Sequence, residues 1–155
     1  KGFRDILGKG PLAEYPVGGT KIELDDGSFH EVDSSEKAFY TAAQGCFREY
    51  FKQASPKLLE PIMKIEIECP EDFQGTVVGD VIRRRGIMSS NDIVDGNSVI
   101  LAEIPLSETF GYSTDLRSMT QGQGTFTMEL ATYRETPSNV QSDIIEAKQK
   151  EKAAK

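Results

Sequence analysis

From Met63 to Cys69 every second residue is apolar, with Lys64, Glu66 and Glu68 between, and this spacing constrains the fold more than any other stretch of the chain. A period of two places Met63, Ile65, Ile67 and Cys69 on one side of an extended strand and the charges on the other, so one face is buried and one is wet. The period then changes. Pro70, favoured in a first helical turn, opens a helix with Val77, Val78, Val81 and Ile82 as its apolar stripe and Gly86 as its stop. Residues 87–91 and 98–105 read as two strands joined through Asp95-Gly96-Asn97, a hairpin-type turn. Ser107 and Glu108 start a second helix that must end before Gly122 and Gly124. Phe126, Met128 and Leu130, alternating with Thr127 and Glu129, form a last strand. The order β-α-β-β-α-β is that of the split βαβ, or ferredoxin-like, arrangement: an antiparallel sheet with both helices on one face and the other face open.

The N-terminal third follows another pattern. Gly2 to Lys9 reads as a helix, and residues 20–24, "TKIEL", alternate as a half-buried strand does. Asp26-Gly27-Ser28 is turn chemistry, because Asp bonds its own backbone and Gly accepts positive φ, and it holds His30, the single histidine, out at a loop tip. With Asp33 or Ser34 as cap, a helix follows whose apolar positions Ala38, Phe39, Ala42, Ala43, Cys46, Phe47, Tyr50 and Phe51 form one core face, Cys46 at its centre. The fold class is therefore α+β. A partial α+β domain over residues 1–55 is followed by a linker over 56–61, stiffened by Pro56 and Pro61, and by the ferredoxin-like domain over 62–137. Residues 138–155 are a C-terminal helix or a disordered tail, since their Lys and Glu run has almost no apolar stripe. A chain that begins at Lys1, inside a helix, reads as a fragment of a larger protein.

A net charge of −7 argues against broad capture of nucleic-acid backbone, which relies on clustered Lys and Arg, and leaves room for a local RNA contact. No apolar run approaches the roughly 18 residues of a membrane span, and a cytoplasmic location is the default. Cys46 and Cys69 have no CxxC or Cys/His set around them and read as small buried apolar residues. The usual phosphate-cradle, nucleophile-elbow and zinc motifs are missing, so no catalytic, cofactor-binding or metal-ligating residue is expected, and the chain by itself is not expected to be an enzyme.

"RRRG", Arg83 to Gly86, is the one basic cluster. Steps of about 100° send Arg85 onto the Val78/Val81 stripe, Arg84 to its edge and Arg83 away from it. Either these cations complement the helix macrodipole, or Arg83 and Arg84 contact RNA. Gln121-Gly122-Gln123-Gly124 is likewise either a bare turn or a loop whose N–H groups meet phosphate.

Taken together, "PLAEYPV", "DGSFHEVDSSEKAF", "PKLLEPIMKIEI", "VVGDVIRRRG" and "IPLSETFGYSTDLRSMTQGQGTFTMEL" closely resemble the C-terminal part of the bacterial-type elongation factor G family, the translocation GTPases, from about Gly2 to Pro137. The resemblance implies that residues 1–55 are the second half of domain IV and residues 62–137 are domain V. It implies a decoding-centre tip at Ser28, Phe29, His30 and Glu31, with tRNA and mRNA at the ribosomal A site as partners. For domain V it implies contact with rRNA and the stalk-base protein of the ribosome, with Arg83, Arg84, Thr120, Gln121, Gly122 and Gln123 as candidate rRNA contacts. GTP and Mg²⁺ would belong to a domain missing here, and the chain would be a monomer without a membrane partner. Gln123 stands where the family's loop usually carries arginine, and Cys69 where threonine is common. Competing readings are a free-standing ferredoxin-like interaction or ligand-sensing module that pairs with a copy of itself, and a fragment of a related ribosomal protection or recycling factor.

Overall fold

The alternation between Met63 and Cys69 belongs to a longer strand, β1 (Leu59–Pro70), in a computed structural model that describes residues 1–154. In chain order the other elements are α1 (Gly2–Leu7), α2 (Glu36–Phe51), α3 (Gln74–Arg83), β2 (Ile87–Val94), β3 (Asn97–Pro105), α4 (Tyr112–Met119), β4 (Thr125–Glu135) and α5 (Ser138–Ala153). They divide into two units: Leu59–Thr136, and Lys1–Leu58 with the stretch from Pro137 on.

In the Leu59–Thr136 unit the strand order is β2-β3-β1-β4, and every neighbouring pair is antiparallel. Ile65, Ile67 and Cys69 lie opposite Ala102, Ile100 and Ser98 of β3. The apolar members of this face join Val77 and Val81 of α3 and Tyr112 and Leu116 of α4 in one buried cluster, so both helices cover the same side. Each such Ile or Val contributes about 1.5–3 kcal/mol by leaving water. Lys64, Glu66 and Glu68 point to the uncovered face and are exposed, as their alternation requires. Asp95 (φ 51°) and Gly96 (φ 81°) form the two-residue turn between β2 and β3; both positions need positive φ, which glycine accepts without strain.

Helix α3 ends by a Schellman closure. Gly86 N–H donates to Val81 O at 2.9 Å and Arg85 N–H to Ile82 O at 3.1 Å, with Arg85 itself left-handed (φ 59°). The end of α4 repeats the device, with Gln121 left-handed (φ 52°) and Gly122 N–H donating to Arg117 O at 2.8 Å. Both helices stop because their last carbonyls receive partners from a reversed chain.

In the other unit, α2 is capped by Ser35, whose side chain accepts from Ala38 N–H at 3.1 Å, and not by Asp33 or Ser34. Ser34 Oγ is already taken by His30 N–H. The covered stripe of α2 is Tyr40, Ala43, Gln44, Phe47 and Phe51, of which Phe47 is buried. It turns toward α1, where Gly2 permits the approach: a Cβ there would stand 2.7 Å from Tyr40 O. Tyr40 Oη donates to the Asp5 carboxylate at 3.0 Å, and this bond, with some burial, raises the phenol pKa.

Several expectations fail. Residues 20–24 are not a strand: none of them pairs with another strand among the described residues, and a strand without a ladder leaves its N–H and C=O groups to water. Cys46 is exposed with Phe39 and Tyr50, because α1 covers α2 on a stripe one position away from the one chosen by hydrophobicity alone. Ile82 is 63% exposed and leaves the α3 stripe to Val77 and Val81, with Val78 partly buried. Residues 59–61 are strand and not linker, since Leu59, Glu60 and Pro61 pair with Glu135, Arg134 and Tyr133 of β4. Pro61 is tolerated there because the β3 ladder starts only at Ile62, leaving β1 a neighbour on one side. Ser107 and Glu108 form a 3-10 turn, Leu106–Glu108, and α4 begins at Tyr112. From Ser138 to Ala153 the tail is helical, with no buried residue and with charge pairs such as Lys150–Glu146 at 2.7 Å along its surface.

Candidate nucleic-acid interface

Ser28, Phe29, His30 and Glu31 are all exposed, on a loop whose turn is closed at its base. His30 N–H donates to Ser34 Oγ at 2.7 Å and Ser34 N–H donates to His30 O at 2.9 Å, so the backbone of His30 is held twice while its ring stays 75% exposed. Gly27 N–H donates to Asp26 Oδ1 at 2.7 Å, one residue on and not the two of an Asx turn; Gly27 has no positive φ, and the turn falls at residues 31–33 instead of Asp26-Gly27-Ser28. Phe29 is 70% exposed, and Leu24 and Val32 beside the tip are more exposed still. Val32 has no periodicity to single it out, and Leu24 belongs to the alternating stretch 20–24. Asp25, Asp26, Glu31 and Asp33 surround the tip, and His30 Nδ1 lies 3.8 Å from Asp33 Oδ2. Such a loop repels phosphate and offers flat or apolar side chains, a combination that suits exposed bases better than a backbone.

The three arginines have three different environments. Arg83 is 70% exposed and bonds only to Asp80 Oδ1, its Nε at 3.1 Å, leaving donors toward solvent. Arg84 is buried: Nε donates to Asp80 Oδ2 at 2.7 Å, Nη1 to Glu108 O at 2.6 Å and Nη2 to Asp115, while its guanidinium lies 5.1 Å from the Tyr112 ring centroid. Arg85 bonds Glu60 through both Nη atoms, at 3.0 and 2.9 Å, and Glu108 through Nε at 3.1 Å. The expected order is thus corrected. Arg84, named as an RNA contact, is the internal tie, and Arg85 does not lie on the stripe, because steps of 100° lose meaning once the chain turns left-handed at Arg85. Arg83 alone of the three keeps an open side.

The glutamine-glycine loop is a closed turn. Gly122, Gln123 and Gly124 N–H groups donate to Arg117 O, Thr120 O and Thr120 Oγ1, so they are not free to cradle phosphate. Thr120, a candidate contact, is fully buried and donates its hydroxyl to Leu116 O at 2.7 Å. Gln121 and Gln123 remain exposed, and so does Arg117 one turn earlier, a cation the reading of the sequence passed over. Of the candidate rRNA contacts with side chains, Arg83, Gln121 and Gln123 therefore stay exposed, and Arg117 is exposed as well.

One buried hydroxyl is unserved. Tyr112 is 1% exposed, its Oη has no hydrogen-bond partner, and burial, with the Asp80 charge adding to it, pushes its pKa far above the ordinary phenol. Removing that oxygen removes a desolvation cost and no bond. Tyr112→Phe is expected to leave the thermal midpoint unchanged or raise it, by up to about 1 kcal/mol in stability, as read by calorimetry. A loss of about 1 kcal/mol or more would show that the hydroxyl is bonded in solution. Cys69 is buried beside this core, and burial pushes its thiol pKa up, as an inert cysteine requires. Among the described residues no group of three His, Cys, Asp or Glu side chains is placed to hold a metal ion, and no described helix is long and apolar enough to cross a membrane.

Comparison with known proteins follows the same division of the chain. Residues 1–55 match the family described as elongation factor G, domain IV, and residues 57–144 match elongation factor G C-terminus. Elongation factor G of Rhodopirellula baltica is 77% identical over 154 residues, which is 99% of this chain and 22% of that protein. A crystal structure of a Thermus thermophilus protein superposes with a TM-score of 0.82 at 36% identity, over 96% of this chain and 23% of that one. The chain spans about a fifth of the length of these relatives. With a family match that covers more than half of its residues, the chain belongs to the elongation factor G family.

Proposed function

We propose that this chain is the ribosome-contacting C-terminal part of a translational GTPase that promotes movement of tRNA and mRNA, working in the cytoplasm as part of a monomeric factor. The observation that carries the reading is the tip from Ser28 to Glu31: a doubly closed turn that holds an imidazole and an aromatic ring out in water, within the stretch matching domain IV. A side chain so placed gains nothing for the fold and is available to stack on or bond an unpaired base. The tip would meet tRNA and mRNA at the A site, and the C-terminal unit would meet rRNA near the stalk-base protein through Arg83, Arg117, Gln121 and Gln123. The sequence has no glycine-rich phosphate loop with its lysine, and among the described residues no carboxylate set is placed for Mg²⁺, so GTP and Mg²⁺ would be held by other residues of the complete factor.

The test is His30→Ala in the complete factor. Stacking of a base on a side-chain ring contributes about 1–3 kcal/mol, so movement of a fluorescent mRNA in stopped flow should slow by roughly five- to a hundredfold while ribosome-stimulated GTP hydrolysis stays near wild type. Movement at the wild-type rate would overturn the role of the tip. Equal loss of hydrolysis would assign the tip to binding of the factor and not to the movement step.

A further inference from the structure

The face of the sheet turned away from α3 and α4 has no cover within its unit, and the strand register says what it presents. Val99 lies between Glu68 of β1 and Asp92 of β2, and Leu101 lies between Glu66 and Ser90. An apolar strip one strand wide is thereby flanked by carboxylates on both sides at Val99 and on the β1 side at Leu101. Val99 and Leu101 are half-buried, and Glu66, Glu68 and Asp92 are exposed. The cations nearby are already engaged: Lys64 Nζ lies 3.7 Å from Glu129, and Arg134 Nη2 lies 2.6 Å from Glu103. Glu68 receives a neutral amide bond from Asn97 at 3.3 Å, which leaves its charge in place.

A surface of this kind selects its occupant by charge. Phosphates are repelled by it, and a second copy of the chain would bring the same carboxylates against their like, which disfavours pairing through this face. We propose that the open face docks a basic, amphipathic protein segment, whose apolar side chains cover Val99 and Leu101 and whose Lys or Arg side chains on either flank meet Asp92, Glu68 and Glu66. The exposed cations Arg83 and Arg117 belong to the helices on the opposite side of the sheet. One unit then carries the exposed Arg83 and Arg117 on its helix side and an acidic sheet side suited to protein, an assignment that rests on the register and on which side chains are exposed, and goes beyond the contact with RNA.

The experiment is a heteronuclear NMR titration of the 155-residue chain at low salt with a synthetic nonapeptide of three Lys-Leu-Lys repeats. Amide shifts should centre on Val99, Leu101 and their neighbours in β1. The triple variant E66Q/E68Q/D92N should weaken binding by about tenfold or more, whereas the matched variant D143N/E146Q/E151Q on α5 should change it by less than about twofold. Replacing the peptide leucines by serine should weaken it as well. Shifts that fall elsewhere, equal losses in the two triple variants, or indifference to the leucines would each overturn the proposal. So would a decauridylate RNA that shifts the same amides.

Discussion

Arg84→Met should cost the Leu59–Thr136 unit about 3–5 kcal/mol, because it removes one partner of a buried ion network and leaves the others behind. The side chain of Asp80 is 5% exposed, and one of its oxygens is held by Arg84 alone; Glu108 O and Asp115 lose their bonds in the same step. The network ties the end of α3 to the start of α4, so the loss is also a loss of helix registry. Against a total stability of about 5–15 kcal/mol, this is a large part of what holds such a domain. For 60–100 residues each kcal/mol corresponds to roughly 4–8 °C, and calorimetry should show the midpoint falling by at least about 12 °C. A double replacement, Arg84→Met with Asp80→Leu, removes the stranded carboxylate and should recover a good part of the loss. A single variant that melts like the parent would show that Arg83 and water, and not Arg84, satisfy Asp80.

Val81→Asp is expected to abolish cooperative folding of the same unit. Val81 is fully buried in the cluster between α3 and the sheet, and a carboxylate placed there either ionises at a cost of several kcal/mol or stays protonated. Val78→Asp is the internal control. Val78 is only partly buried, so its carboxylate reaches water and the urea midpoint should drop without the transition vanishing. Equal effects of the two would refute the observed stripe and restore the symmetric one read from hydrophobicity.

The contrast between these two valines shows how far the chain could be read unaided. Alternation from Met63 to Cys69, the Asp95-Gly96 turn and the glycines after α3 and α4 are local signals, and the order of elements they imply is the order observed. The exposure of His30 was legible for the same reason, but the turn that holds it lies at residues 31–33 and is closed by Ser34, which the sequence offers only as a helix cap. Burial is different. Whether Cys46 or Gln44 is covered depends on where α1 lies, and Phe39 and Tyr50 have the same hydrophobicity whether or not anything meets them.

The same boundary runs through the candidate interface. Residue type identified Arg83, Arg84 and Arg85 as a cationic cluster, but their roles are set by carboxylates distant in the chain: Asp115 for Arg84, Glu60 and Glu108 for Arg85. "TQGQG" could be read as a phosphate loop until Arg117 O and Thr120 received its N–H groups. By itself the sequence determined the two periods, the Asp95-Gly96 turn and the exposed place of His30, because backbone sterics and short-range hydrogen bonds act between neighbours in the chain. Only the tertiary structure decided which arginine is buried, which helix face is covered and that residues 20–24 pair with no strand, because a hydrogen bond, an ion pair or a buried surface needs a second partner that the chain brings close only by folding.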